Sequence, residues 1–393
     1  MSQSTQVNTV ESLKSQLANS VRSQETSLLH LSHQIHANPE LGFEEVLASA
    51  WICDQLAKAG LDIEYGVGGL PTAFVAKKGT GATTVAICAE YDALPGIGHA
   101  CGHNIIAACA VGAGIALSNL VDDLEVTVKV IGTPAEEGGG GKIILLEQGV
   151  FDDVDFAMMV HPGPTDQVQL DCLAVSHFMV RYTGKAAHAS GFPQEGINAG
   201  DALTIAQVAI GLLRQQLPQT SRVHGIVRTG GTAANIIPDL CEAEYFVRTS
   251  TLDELSEIEE RVQNCFRSGA LATGCQLSTE YLGPNYSEFR QDLHFQGIYR
   301  KNAQQLGRVF PQHRSTPMST DMANVSLRIP SIHPMISINS LPAVNHQPEF
   351  AAASISSYAD NAIIDGAIAL AWSAADLLLH EQERSQFVPK LEE

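Results

Sequence analysis

"TVAICAEYDALPGIGHACGHNIIAACAVGAGIAL", residues 84–117, decides the fold. Its first six residues, "TVAICA", are mostly apolar and end at the polar Glu90, and read as a buried strand. Its end, "IIAACAVGAGIAL" (105–117), is apolar, too short to span a bilayer, and reads as a buried helix. Between them lie Asp92, His99, Cys101 and His103. A strand that runs through a polar loop into a buried helix is the unit of an α/β sheet. Ligand sites in such sheets form just beyond the carboxyl ends of strands.

The same order recurs on both sides. Apolar residues Leu13, Leu17, Val21, Leu28, Leu31 and Ile35 keep helical spacing over residues 8–36, until Pro39 and Gly42 break it. "EVLASAWICDQLAKAG" reads as a second helix closed by Gly60, and "TAFVAKK" as a strand. Downstream, "EVTVKVIGTPAEE" is a strand that ends in two carboxylates, followed by a glycine-rich turn into a short helix. "DFAMMVHPGP" is a strand that ends at His161. The expected architecture is a mostly parallel, doubly wound α/β sheet.

The pattern changes near residue 173. From there to about 284 the order is strand, helix, strand, strand, helix, strand, an α+β module of the split βαβ, ferredoxin-like kind. Helical spacing resumes at "FRQDLHFQGIYRKNAQQLG", and "SAADLLLHEQERSQ" ends the last helix. The expected organisation is a discontinuous domain of residues 1–172 and 285–393, with 173–284 inserted. A chain of 393 residues is long enough for two cores.

Composition narrows the function. The 45% hydrophobic and 17% charged content fits a packed globular protein rather than a disordered one. A net charge of −20 without a basic patch argues against nucleic acid or an anionic membrane as partner. The opening "MSQSTQVNTVESLKSQ" is polar, so no secretory leader is expected and the expected location is cytoplasmic. Eight cysteines form no CxxC pair and read mainly as reduced core residues.

Cys101 is the exception. In an extended or irregular segment, residues i and i+2 point the same way, so Cys101 and His103 can present a thiolate and an imidazole to one metal ion. The spacing alone also reads as a loop with a buried Cys and a surface His. "PAEEGGGG" adds Glu136 and Glu137 at a strand end. One can ligate metal while the other serves as general base on a metal-activated water; the plainer reading is a solvated acidic loop. His161 suits a core strand only if its nitrogen finds a partner, and a metal is one such partner.

Together "EYDALPGIGHACGHN", "GTPAEEGGGG", "GKAAHAS", "GGTAANIIPD" and "NHQPEF" resemble the M20 metallopeptidase family, in the amidohydrolase branch of aminoacylases, aminobenzoyl-glutamate hydrolases and dipeptidases. The resemblance runs from about residue 28 to 370. It implies two divalent ions, zinc first and manganese, cobalt or nickel as alternatives, held by Cys101, His103, Glu137, His161 and His346. It implies Glu136 as general base and Asp92 as the group that orients a ligand. The family's usual His-x-Asp pair is absent, since Glu90 holds the His position. Many relatives also carry Asp where this chain has Asn104. In the inserted module the resemblance implies His188 and Asn235 at the reaction's oxyanion, and Arg248 at a substrate carboxylate. It implies a homodimer through that module, with its His188 reaching the partner subunit's centre, and a small amide or dipeptide substrate. Ser319, Thr320 and Asp321 read either as pocket lining or as a plain turn. His36 reads as support, and His99 as a neighbour of the ligands. Two other readings compete: a cysteine hydrolase with Cys101 as nucleophile, and a binding protein that kept the fold.

Overall fold

The structure is a computed structural model that describes residues 3–312 and 318–379. The end of the last helix expected from "SAADLLLHEQERSQ" lies outside the described residues beyond Leu379. Among the described residues twelve strands follow in chain order: β1 Asp62–Tyr65, β2 Phe74–Lys78, β3 Thr83–Ala89, β4 Val126–Gly132, β5 Phe156–Met158, β6 His161–Gly163, β7 Ala174–Thr183, β8 Arg222–Thr229, β9 Leu240–Thr249, β10 Gln276–Tyr281, β11 Ser331–Ile332 and β12 Met335–Ser337.

The chain divides into two compact units, one of residues 1–171 with 289–393, the other Cys172–Glu288. The sequence reading placed the inserted unit at 173–284. The later end has a physical basis: Tyr286 exchanges backbone hydrogen bonds with Val175, and the Glu288 carboxylate accepts from the Leu252 N–H at 2.9 Å.

In the first unit six strands form a sheet in the order β1-β2-β4-β3-β5-β11. The pairs β4–β3, β3–β5 and β5–β11 are parallel, while β1–β2 and β2–β4 are antiparallel. The central strands β3 and β4 are buried almost throughout, which their Val- and Ile-rich sequences permit. Every residue of the His103–Ser118 helix is buried. It packs against the Ser357–Leu379 helix, with Gly112 and Gly366 at close approaches. That last helix is long and apolar enough to cross a membrane, yet its apolar residues, among them Ile363, Ile368 and Leu370, lie in the core of this unit.

Two local expectations need correction. The amino-terminal helical run is two helices, Gln3–Ser23 and Glu25–Ala37, separated at Gln24. His161 does not end a strand: β5 stops at Met158, and His161 opens β6, which pairs in parallel with β12 in a separate two-stranded ribbon.

The second unit is a four-stranded antiparallel sheet in the order β10-β7-β9-β8. Its helices are Ala199–Leu213 and Leu252–Thr273. Alternate residues of β7 and β9 point to the buried side, where Phe178, Val180, Tyr245 and Val247 pack with Leu203, Ile258 and Phe266.

Candidate metal centre

The centre lies just beyond the carboxyl ends of β3 and β4. β3 ends at Ala89, and the next residues deliver Glu90 and Asp92. β4 ends at Gly132, and a tight turn delivers Glu136 and Glu137. Ala135 in that turn has φ 57°, a left-handed conformation that costs a non-glycine residue free energy. Its N–H is taken by the buried Glu45 carboxylate at 2.8 Å, which helps hold the turn. His346 is also left-handed, with φ 68°, and its N–H donates to Ala100 O at 3.0 Å. Two such residues at one site mark backbone held in place for function.

Gly102 sits between the two metal-capable side chains. Its φ is 74°, and a Cβ there would stand 2.5 Å from Pro162 Cγ. Only glycine fits. Cys101 and His103 therefore flank a left-handed turn, with His103 the first residue of its helix, rather than lying on an extended run.

Among the described residues three groups have donor atoms within 4.8 Å of one another: Cys101, His103 and His161; Cys101, Glu137 and His346; and Glu90, His103 and Glu136. His103 Nε2 lies 3.9 Å from both Glu136 Oε2 and Glu137 Oε1, and His346 Nε2 lies 3.8 Å from Glu137 Oε1. The structure thus brings together all five residues expected as ligands and the expected base. Cys101, His103 and Glu136 are buried, while His346 is exposed.

The residues fit divalent metal. His103 Nε2, Glu137 Oε1 and Glu90 Oε2 are buried, and no hydrogen-bond partner reaches them among the described residues. Buried polar atoms rarely stay unpaired, and here they face one another. The donor set of thiol, imidazole and carboxylate is the one zinc-like ions take.

Asp92 organises the centre from behind. Its Oδ1 is 3.0 Å from His103 Nδ1, and its Oδ2 accepts the Glu137 N–H at 3.0 Å. His161 Nδ1 is likewise tied, to Pro162 O at 2.8 Å, so Nε2 is its free donor atom. Burial disfavours charge on both Asp92 and His103, but their mutual attraction outweighs it: the carboxyl is held below its usual range and the imidazole well above. Burial, and then the Glu90 and Glu137 carboxylates, push Glu136 well above the carboxylate range. Burial and the Glu137 carboxylate raise the Cys101 thiol in the same way. The site as a whole is poised for cations.

The sequence reading missed three features here. Lys142, fully buried in the short Gly141–Glu147 helix, pairs with Glu90 Oε1 at 2.5 Å and Asp321 Oδ1 at 2.7 Å. His333 is buried between β11 and β12 and stacks on His161 with centroids 5.4 Å apart. Burial, and then His333, push His161 down to about 3. Glu45 is the third. No motif spacing marks any of them. Asp321 thus sits on the buried Lys142. Thr320 is also buried. His36 Nε2 bonds Ala351 O at 2.8 Å, and His99 is buried 6.1 Å from the His36 ring. Asn104, where relatives carry Asp, donates to Ser32 Oγ and Ser354 O.

In the second unit, His188 and Asn235 are exposed on adjacent loops joined by the Ala189 N–H to Asn235 O bond at 3.0 Å. His188 Nδ1 accepts from Gly191 N–H at 3.1 Å and Ser190 N–H at 3.3 Å, which leaves Nε2 as the protonated nitrogen of the neutral ring. Arg248 is half-buried on β9, its guanidinium 5.4 Å from the Phe246 ring centroid.

The sequence matches peptidase family M20/M25/M40 over residues 86–362, more than half the chain. The chain belongs to that family. This M20 chain is 38% identical to the Xaa-Arg dipeptidase of Mus musculus, over 98% of this chain and 94% of the relative. It is 33% identical to a p-aminobenzoyl-glutamate hydrolase polypeptide of Escherichia coli, over 62% of this chain and 55% of the relative. Among solved structures it resembles a dinuclear metal-binding M20 peptidase of Bacillus subtilis, with TM-score 0.64 and 25% identity over 87% of this chain and 98% of that one. The M20 chain is a hydrolase that acts on amide bonds.

Proposed function

We propose that this M20 hydrolase is a two-metal dipeptidase, with dipeptides that end in a basic residue as its leading substrate class. The convergence of Cys101, His103 and His161, and of Cys101, Glu137 and His346, within ligand range carries the reading. Cys101 belongs to both groups, and these residues would hold the ions. Bound there, zinc or a related divalent ion would polarise the amide carbonyl and make water nucleophilic near neutral pH. The thiol and imidazoles favour zinc over harder ions. A cysteine nucleophile would leave the carboxylate pair and His161 without a task.

Glu136 takes the proton of the attacking water and delivers it to the leaving amine nitrogen. Its surroundings suit a group that must both accept and hold a proton. Asp92 fixes His103 in one orientation through the cycle. The family resemblance assigns His188 Nε2–H and the Asn235 amide, both in the second unit, as the proposed donors to the developing oxyanion. Arg248 receives the substrate carboxylate through its two-pronged face.

The preference for a basic residue is supported by the mouse relative, which is similar over nearly all of this chain. The net charge of −20 also draws cationic ligands. A second reading, hydrolysis of acyl or aroyl amino acids, is supported by the Escherichia coli relative over a smaller share of the chain.

The same proposal includes a homodimer through the second unit. β8 is an edge strand with a mostly exposed face, and Ile226, Val227, Val208 and Leu212 are exposed apolar residues of that unit. Exposed strand edges invite pairing with a second chain. The eight cysteines are unpaired, as in a reducing compartment, and the proposed location is the cytoplasm.

The test combines metal content with turnover on a panel of dipeptides and acyl amino acids, before and after chelation, with Glu136→Ala alongside. Expected are about two ions per chain, cleavage of dipeptides ending in Arg or Lys, and loss on chelation. Glu136→Ala should keep its metal and lose about 10²- to 10⁴-fold in turnover. Full activity in metal-free protein would overturn the reading.

A further inference from the structure

Glu90 occupies the position where the family's usual motif has a histidine, and the motif reading gives it no task. Its geometry does. The carboxylate is fully buried. Oε1 is held by Lys142 Nζ at 2.5 Å. Lys142 is held in turn by Asp321, through Nζ to Oδ1 at 2.7 Å and through its own N–H to Oδ2 at 2.9 Å. Glu90 therefore cannot swing away without unpairing a buried ammonium, and a buried charge stripped of its partner is strongly destabilising.

Oε2 points the other way. It lies 3.5 Å from His103 Nε2, closer than either Glu136 or Glu137 comes to that nitrogen. The contact is not a hydrogen bond, since both atoms are buried without a hydrogen-bond partner. Two orphaned buried acceptor-capable atoms that face each other at this distance have the spacing of two donors on one ion. Ligand bonds of about 2.0–2.2 Å at a tetrahedral angle put donor atoms about 3.4 Å apart.

We propose that Glu90 is a further metal ligand of the centre, acting through Oε2 on the ion that His103 holds, with Lys142 and Asp321 as the clamp that fixes it. This rests on the two-metal reading above. The clamp serves the site in three ways. It turns one carboxylate oxygen permanently toward the ion, and its ammonium offsets part of the charge of the many carboxylates gathered here. It also ties the strand end after β3 to the short helix after β4 and to the segment that carries Asp321.

The experiment titrates Co(II) into the metal-free full-length chain, in competition with a chromophoric chelator, and follows both affinity and the visible absorption of the bound ion. Wild type, Glu90→Gln, Glu90→Asp and Cys101→Ala are compared. Glu90→Gln keeps the shape and a partner for Lys142; Glu90→Asp keeps the charge and the clamp but withdraws the oxygen. The expected result is two ions in wild type, with one of them bound at least about tenfold more weakly in both Glu90 variants and its absorption bands shifted. If Glu90→Gln does not fold, Glu90→Asp decides alone. Wild-type affinity and an unchanged spectrum in the Glu90 variants, with binding lost in Cys101→Ala, would overturn the role of Glu90 and leave the metal centre standing. Unaltered binding in Cys101→Ala, or no Co(II) uptake by wild type, would overturn both.

Discussion

Asp92 Oδ1 stands 3.0 Å from His103 Nδ1, deep in the protein, while the other oxygen of the same carboxylate receives the Glu137 N–H. One side chain thus aims two expected metal donors from the segments that follow β3 and β4. It fixes the imidazole tautomer so that Nε2 is left bare toward the centre, and it anchors the turn that presents Glu137. Asp92→Asn keeps the size but can donate to Nδ1, which would place the proton on Nε2. Metal affinity and turnover should each fall about 10- to 100-fold. Metal content after dialysis against a weak chelator, read beside turnover, checks it.

Gly102 sets the angle between Cys101 and His103. Gly102→Ala meets two obstacles, the left-handed φ of 74° and Pro162 Cγ at 2.5 Å. The conformation alone costs about 1–2 kcal/mol. The larger effect should fall on metal binding, since either the turn or the β6 segment must shift. The expected outcome is a folded protein with a lowered melting temperature and weakened Zn(II) affinity. Calorimetry with and without Zn(II) separates the two effects, because a bound ion stabilises by about 2.7 kcal/mol at a hundred times its dissociation constant.

The sheet and the cluster beyond β3 and β4 were legible because Cys101, His103, Glu136 and Glu137 lie in short motifs that follow those strands, whereas His346 entered only through the family resemblance. Cys101, His103, Glu136 and Glu137 needed only local reading. Lys142 was not legible in its role. It meets Glu90 across 52 residues and Asp321 across 179, and no local period records such a meeting. His333 was hidden for the same reason, a lone histidine in "SIHPM" that gains meaning only when β12 pairs with β6 and sets it on His161. The short strand at His161 was misread because "FAMMVHPG" is apolar without a break in pattern; the switch of pairing partner between Met158 and His161 is a tertiary event.

Glu45 supplies a pH test. Burial raises its carboxyl from 4.5 to about 7, the nearby Asp92 charge adds to this, and hydrogen bonds from Ala135 N–H and Thr72 Oγ offset part of it. A carboxyl raised on folding favours the folded state most below its unfolded value of 4.5, and that contribution is lost as pH rises through about 7. Glu45→Gln should abolish this dependence. The wild-type stability of the metal-free protein relative to Glu45→Gln should therefore drop by up to about 3 kcal/mol between pH 4.5 and 8. Urea unfolding of both proteins at several pH values measures it. Parallel curves would mean that Glu45 stays ionised in the fold.

The proposed dimer can be broken without touching the centre. Ile226 on β8 and Leu212 on the Ala199–Leu213 helix are exposed, at 51% and 69%, so a charge at either costs the lone subunit little. Across a two-fold interface each substitution acts twice, which brings like charges together. Ile226→Glu with Leu212→Glu should shift the chain from dimer to monomer in sedimentation velocity, with Zn(II) affinity unchanged. If His188 of one subunit serves the centre of the other, the monomer should also lose turnover while its metal stays bound. His188→Ala in the dimer should lower turnover to a similar degree. Mixing it with Glu136→Ala should then restore part of the activity, because a mixed dimer pairs an intact His188 with an intact Glu136 at one centre. Absence of any restoration in demonstrated mixed dimers would confine His188 to its own subunit.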